Sequence, residues 1–224
     1  MLSVPTSCIL KFMIRHVIWD WNGTLLNDVE LCVFILNDLL AKNQRPAISL
    51  DQYRKTFFFP VAKFYKSLGL PSSGPDYYEM ASTYIQAYRK KFKECSLTKD
   101  ATEVVHILSD MGISQSVLSA GKQKDVENFV HQYDLSTWMT LINGASNIEA
   151  KGKEECAKKH IAKLPFEPYE VLLIGDTLHD LEVANLIGCE ILLFSGGHVD
   201  KCRLDSVSKP VINSLTQILS RVRC

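Results

Sequence analysis

Asp20 is the first residue whose surroundings suggest chemistry. It ends the apolar run Ile14-Arg15-His16-Val17-Ile18-Trp19 and is followed by Trp21-Asn22-Gly23-Thr24. An apolar run that stops at a carboxylate and gives way to Gly and Thr reads as a buried parallel strand entering a tight loop. Open α/β sheets bind their ligands outside the carboxyl ends of the strands. A carboxylate there serves as a nucleophile, a metal ligand or both. The same pattern returns in Val171-Leu172-Leu173-Ile174-Gly175-Asp176-Thr177-Leu178-His179-Asp180. Two strands that each deliver a carboxylate offer the hard oxygen ligands that Mg²⁺ prefers. Taken alone, Asp176 and Asp180 fit the N-cap of a following helix just as well.

The elements that must carry these residues can be read from periodicity. A helical pattern runs from about Asp28 to Lys42, with Leu31, Ile35, Leu36, Leu39 and Leu40 at helical spacing, and Asn43-Gln44-Arg45-Pro46 stops it. A second helix can start at Leu50-Asp51, and Pro60 separates Phe57-Phe58-Phe59 from another helical stretch, residues 61–68. Residues 69–75 read as a loop, and residues 76–94 are again helical. No strand pattern interrupts this region. It reads as an all-helical cap, residues 28–96, inserted into a core made of residues 1–27 and 97–224. After Leu97 strands and helices alternate: helix 101–110, strand 113–118, helix 125–133, strand 139–142, helix 153–163, strand 171–174, helix 180–186, strand 190–194, edge strand 211–212 and helix 215–222. Such alternation predicts an α/β fold, with a Rossmann-like three-layer α/β/α core around a parallel sheet.

Four segments, in order, resemble the haloacid dehalogenase-like (HAD) hydrolase superfamily. They are Asp20-Trp21-Asn22-Gly23-Thr24, the strand ending in Ser119-Ala120-Gly121, Ala150-Lys151-Gly152-Lys153, and Gly175-Asp176-Thr177-Leu178-His179-Asp180. The resemblance spans the chain from about Met13 onward and is greatest to bacterial phosphoglycolate-phosphatase-like members, which Gly197-His198 and the following tail also fit. It implies a Mg²⁺-dependent phosphatase acting on a small phosphorylated substrate. Asp20 would be the nucleophile. The metal would be held by Asp20, the Asn22 carbonyl, Asp176 and Asp180. Phosphate would meet Thr24, the Ser119 hydroxyl, the Ala120 and Gly121 amides and Lys153, which is preferred over Lys151 as the site lysine. A serine in the position of Ser119 is otherwise a common helix cap.

Asn22 departs from the pattern, which has Asp there as general acid and base. An amide cannot shuttle a proton, although it can hydrogen-bond a substrate oxygen. Three consequences compete: a preference for good leaving groups, a cap residue or water that takes over the proton, or loss of efficient turnover; a working but slow phosphatase is the first reading. A phosphonoacetaldehyde hydrolase-like enzyme using Lys55, Lys63 or Lys66, or a binding protein on the same scaffold, are the rivals. His179 reads as an orienting or exposed residue, His198 as structural or site-reaching, and the aromatics Phe57, Phe58, Phe59, Phe64 and Tyr65 as cap core.

Composition bounds the partners. Lys plus Arg and Asp plus Glu both number 25, so no strong drive toward nucleic acid or an anionic membrane is expected. No apolar run approaches the roughly 20 residues of a membrane span. The seven cysteines show no Cys-x-x-Cys spacing, which suits free thiols in a reducing cytoplasm. Residues 1–12 read as a short extension of little structural role, and the chain as a monomer or homodimer.

Overall fold

The computed structural model describes residues 13–145 and 153–222. The expected extension at residues 1–12 and the alternative lysine Lys151 lie outside the described residues.

Strand β1 (His16–Trp19) is fully buried, and Val17, Ile18 and Trp19 have no exposed surface. A strand covered on both faces needs apolar residues at successive positions, which this one has. It is followed by β2 (Leu26–Asn27), α1 (Val29–Lys42), α2 (Leu50–Thr56), α3 (Val61–Ser67), α4 (Gly74–Lys91) and β3 (Ser96–Leu97). The chain continues with α5 (Ala101–Asp110), β4 (Ser114–Lys122), α6 (Gln123–Gln132), β5 (Leu141–Ala145) and α7 (Glu154–Ile161). It ends with β6 (Val171–Gly175), α8 (Leu178–Ile187), β7 (Glu190–Phe194), α9 (Lys201–Asp205), β8 (Val211–Ile212) and α10 (Ile218–Val222).

Six strands form one sheet in the order β5-β4-β1-β6-β7-β8, and every neighbouring pair is parallel. Chain order reverses around β1, which places the carboxyl ends of β1, β4 and β6 together. That is the position at which such sheets bind ligands. In register, Trp19 lies opposite Val117 and Ile174, so Asp20, Ser119 and Asp176 emerge from neighbouring strands at similar height.

β2 and β3 pair antiparallel, with Leu26 opposite Leu97 and Asn27 opposite Ser96. This short ladder ties together the two ends of the helical stretch. Two hydrophobic clusters fill the interior, and each contains residues from both the sheet and the helices α1 and α4. The apolar stripe of α1 (Val29, Cys32, Val33, Ile35, Leu36, Leu39 and Leu40) divides between them, which packs this helix against both.

Two local expectations need correction. The loop expected to end at Pro75 stops earlier, because α4 starts at Gly74 and accommodates Pro75 in its first turn, where a missing N–H costs no helical bond. β4 does not stop at Leu118 but continues through Ser119–Lys122, with a register shift against β5.

A polar chain crosses the buried base of the sheet. His16 Nε2 lies 2.7 Å from Ser116 Oγ, which lies 2.7 Å from His160 Nε2, and His160 Nδ1 is 2.9 Å from Asn143 Oδ1. It fastens α7 to β1, β4 and β5. Burial pushes His16 down to about 4 and His160 down to about 3, so both rings are neutral at pH 7.

Candidate active site

Asp20, Asp176 and Asp180 each offer an oxygen within 4.8 Å of the others, and all three residues are buried. Lys153, 3% exposed at the N-cap of α7, points its ammonium between Asp20 and Asp180. Nζ lies 2.7 Å from Asp20 Oδ1, 2.5 Å from Asp180 Oδ1 and 3.3 Å from the Leu118 carbonyl. The Asp180 Oδ1 contact is an ion pair without hydrogen-bond geometry, so that oxygen accepts no hydrogen bond among the described residues.

The two sequence readings of Asp180 divide between its two oxygens. Oδ2 accepts from the Thr177 N–H (2.9 Å) and hydroxyl (2.7 Å) in a capping box that starts α8, while Oδ1 faces Lys153. Asp176 is not a cap. Its Oδ1 accepts from Thr24 Oγ1 at 3.2 Å and its Oδ2 from the His198 N–H at 2.6 Å. Gly23 makes this fit possible. At φ +73° it has a left-handed backbone, and a Cβ there would stand 2.5 Å from Asp176 Oδ2.

The electrostatics are unbalanced. Lys153 is held above the usual lysine range: burial opposes the charge, but Asp180 and Asp20 together outweigh it. Asp180 is held low despite burial, because Lys153 and Thr177 favour its charged form. Asp20 is nevertheless pushed well up, by burial first, then by Asp180 and Asp176, against the single favourable ammonium. Lys153 therefore gains from its pairs while Asp20 loses, because one ammonium is shared among several carboxylates. Burial, with Asp180 nearby, also pushes Asp176 up to about 6. Clustered buried oxygens short of positive charge suit a hard divalent cation.

Ser119 is buried within β4, just past the register shift, where its hydroxyl accepts from the Gly121 N–H at 3.0 Å. With Ala120 and Gly121 it lines the cavity that contains Asp20 and Lys153. Thr24 does not: it is fully buried, its hydroxyl rests on Asp176, and it lies outside the cavity lining, so its observed contact is with a carboxylate rather than a ligand space. None of Lys55, Lys63 and Lys66 lines the cavity either, and Lys55 pairs with Asp51 on the surface. Among the described residues no lysine of the helical stretch lines the cavity for a Schiff base. His179 orients: its Nε2 accepts from the Lys153 backbone N–H at 3.2 Å and its ring stacks on Phe59.

Sequence reasoning missed Asp28. It precedes α1 in the manner of an N-cap, but its side chain makes no capping bond and is fully buried instead. Oδ2 accepts from Asn22 Nδ2 (2.6 Å) and Tyr88 OH (2.7 Å), and Oδ1 accepts from the Gly23 N–H (2.9 Å). Asn22 Nδ2 also donates to Tyr88 OH at 2.8 Å. His198 Nε2 lies 3.4 Å from Asp28 Oδ1, and its Nδ1 lies 3.0 Å from Tyr53 OH. Burial alone would lower the His198 pKa, but Asp28, Asp176 and Asp20 raise it to about 8. The same contacts hold Asp28 low against its burial. The only hint in the sequence was an acidic residue shortly after an unusual Asn.

A parallel α/β sheet thus gathers three carboxylates and a lysine at its reversal point, where such sheets bind ligands. Residues 17–194 match the sequence pattern of the haloacid dehalogenase-like hydrolases, and the chain belongs to that family. It is similar to phosphoglycolate phosphatases of Synechococcus elongatus (18% identity over 191 residues, 84% of this chain and 86% of the relative) and Pseudomonas savastanoi pv. phaseolicola (21% over 192 residues, 82% and 70%). The crystal structure of a predicted phosphatase from Clostridium acetobutylicum superposes with a TM-score of 0.77 at 19% identity, covering 94% of this chain and 98% of that one. No helix among the described residues is long and apolar enough to cross a membrane.

Proposed function

We propose that this hydrolase is a Mg²⁺-dependent phosphatase that works through an aspartyl-phosphate on Asp20, with residues 28–96 as a helical cap over the site. The observation that carries the reading is the convergence of Asp20, Asp176, Asp180 and Lys153 at the sheet's carboxyl edge. Asp20, Asp176, Asp180 and the Asn22 carbonyl would hold the metal. Bound Mg²⁺ would offset the repulsion between a carboxylate nucleophile and phosphate oxygens. The similarity to phosphoglycolate phosphatases supports phosphate ester chemistry.

In this mechanism Asp20 attacks phosphorus and displaces the alcohol oxygen, and water then cleaves the acyl phosphate and frees Asp20. Lys153 orients Asp20 and adds positive charge beside the phosphate. The Ser119 hydroxyl and the Ala120 and Gly121 amides bind phosphate oxygens. Asp176 is held in one orientation by Thr24 and His198.

Release of inorganic phosphate from aryl and acyl phosphates should require Mg²⁺ and stop with EDTA. Asp20→Asn should abolish it at unchanged circular dichroism, because an amide is not a nucleophile toward phosphorus. Wild-type turnover by purified Asp20→Asn protein would sink the assignment.

A further inference from the structure

We infer that the alcohol part of the substrate is a flat, apolar aromatic ring rather than a short carboxylate-bearing chain. The inference rests on the phosphatase reading above for where the phosphate sits and for the need of a leaving group.

The cavity that starts at Asp20, Ser119 and Lys153 continues between the sheet edge and the helical stretch, with a volume of about 210 Å³. Beyond the polar end its wall is aromatic, with Tyr53, Phe57, Phe64, Tyr65, Tyr84 and Phe129 contributing. A closed apolar cavity of about 150 Å³ already admits benzene. One ring therefore fits, with room for the phosphate toward Asp20. Pockets of this composition hold a ligand by its apolar body and orient it with a few polar groups.

The cations in the lining argue against a carboxylate at the aromatic end. Lys153 is engaged by Asp20 and Asp180. Arg89 is held by both oxygens of Asp125, at 2.9 and 2.8 Å. Lys122 makes no ion pair among the described residues, but it follows Gly121 in β4, at the end assigned to phosphate. His198, which packs on Tyr53 and Phe57, is held by Asp28 and Tyr53, so a carboxylate placed among the aromatics would lose its water without gaining a free cation there among the described lining residues.

A second observation, at the polar end of the same cavity, agrees. Asn22 Nδ2 is committed to Asp28 and Tyr88, so the residue where a proton donor would be needed is a fixed amide. A phenolic oxygen departs as a stabilised anion and needs no such donor. Shape and chemistry thus both favour an aryl phosphate.

Binding separates this inference from the phosphatase reading, because phosphonates are not hydrolysed. Benzylphosphonate mimics phenyl phosphate, 3-phosphonopropanoate mimics a short carboxylated phosphate ester, and methylphosphonate supplies the anion alone. In calorimetric titrations with Mg²⁺ present, benzylphosphonate should bind roughly 10- to 100-fold more tightly than methylphosphonate, the gain from burying one ring. 3-Phosphonopropanoate should show no gain. Ala81, on α4 and in the cavity wall, leaves space that a larger residue would take. Ala81→Phe, or the milder Ala81→Leu, should reduce the benzyl preference. Equal affinities, a preference for 3-phosphonopropanoate, no binding of any phosphonate, or a benzyl preference untouched by both variants would each overturn the inference. A benzyl preference in a protein that releases no phosphate from any ester would uphold the inference and overturn the phosphatase mechanism instead.

Discussion

Asn22 illustrates how a one-residue departure is stabilised by its neighbours. Its amide nitrogen donates to Asp28 at 2.6 Å and to Tyr88 at 2.8 Å, and Asp28 in turn accepts from Tyr88. Asn22→Asp alone would therefore set two carboxylates face to face in a buried site. We predict that this variant loses about 1–3 kcal/mol of unfolding free energy, the cost of a buried unsatisfied polar pair, and gains little activity toward alkyl phosphates. The exchange Asn22→Asp with Asp28→Asn should recover stability and raise alkyl-phosphate turnover, up to ~10²-fold if general acid catalysis returns. A double-mutant cycle of chemical denaturation and phosphate release measures both effects, and strictly additive stabilities would refute the coupling. The sequence could not show this. Asp20, Asp176, Asp180 and Lys153 were legible because each sits in a local pattern at a strand or helix end. Asp28, Tyr88 and His198 come from three distant segments; the sequence offered His198 as structural or site-reaching, but Asp28 and Tyr88 read by type as a helix cap and a core aromatic. Nor could the sequence reveal that Thr24 spends its hydroxyl on Asp176.

Among the secondary-structure elements, α7 matters beyond its length, since Lys153 is its N-cap. The chain from His16 through Ser116 and His160 to Asn143 anchors this helix from below. Both histidines are neutral when folded, with pKa values near 4 and 3, against about 6.5 when unfolded. The unfolded chain therefore binds more protons below pH 6.5, so stability is full above that value and is lost as pH falls toward 4. Between pH 7 and pH 5 the loss should be on the order of 2 kcal/mol for each histidine. Urea denaturation at both pH values should show it, and His160→Gln should reduce the pH dependence by about half. An unchanged slope in that variant would place the charge uptake elsewhere. The helices and strands themselves were largely readable, since hydrophobic period reports burial on one face. The extension of β4 through Ser119–Lys122 was not, because its short, Gly-containing end carries no apolar alternation.

For the molecule as a unit, the question is whether the helical stretch folds with the sheet or apart from it. Both apolar clusters contain residues of each part, and Leu36 of α1, 2% exposed, belongs to the cluster that also holds Leu173 and Leu193 of β6 and β7. Leu36→Ala should then cost about 2–5 kcal/mol of global stability. The three tryptophans, Trp19, Trp21 and Trp138, all lie outside residues 28–96. Tryptophan fluorescence and far-ultraviolet circular dichroism should therefore shift together in this variant. Loss of helicity at lower denaturant, with fluorescence unmoved, would mean that the helical stretch melts on its own. The α/β class was evident from alternation along the chain, but this sharing of apolar surface between distant segments has no signature in a linear pattern.

The pairing of Leu26 with Leu97 and Asn27 with Ser96 also bears on how such a chain can be remodelled. Because these two points are neighbours in space, everything between them departs from the sheet and returns to it as a single long excursion. The entropy of closing an excursion grows only with the logarithm of its length, about 0.6 kcal/mol per doubling. Lengthening, shortening or exchanging the helices between Asn27 and Ser96 would leave the strand ends carrying Asp20 and Asp176 in place, provided the replacement keeps Asp28 and Tyr88 on Asn22 and the Gly23 N–H and still covers the apolar surface now under α1. The helical wall of the cavity can thus be rewritten by recombination, while the carboxylates and lysine at the sheet edge are inherited unchanged.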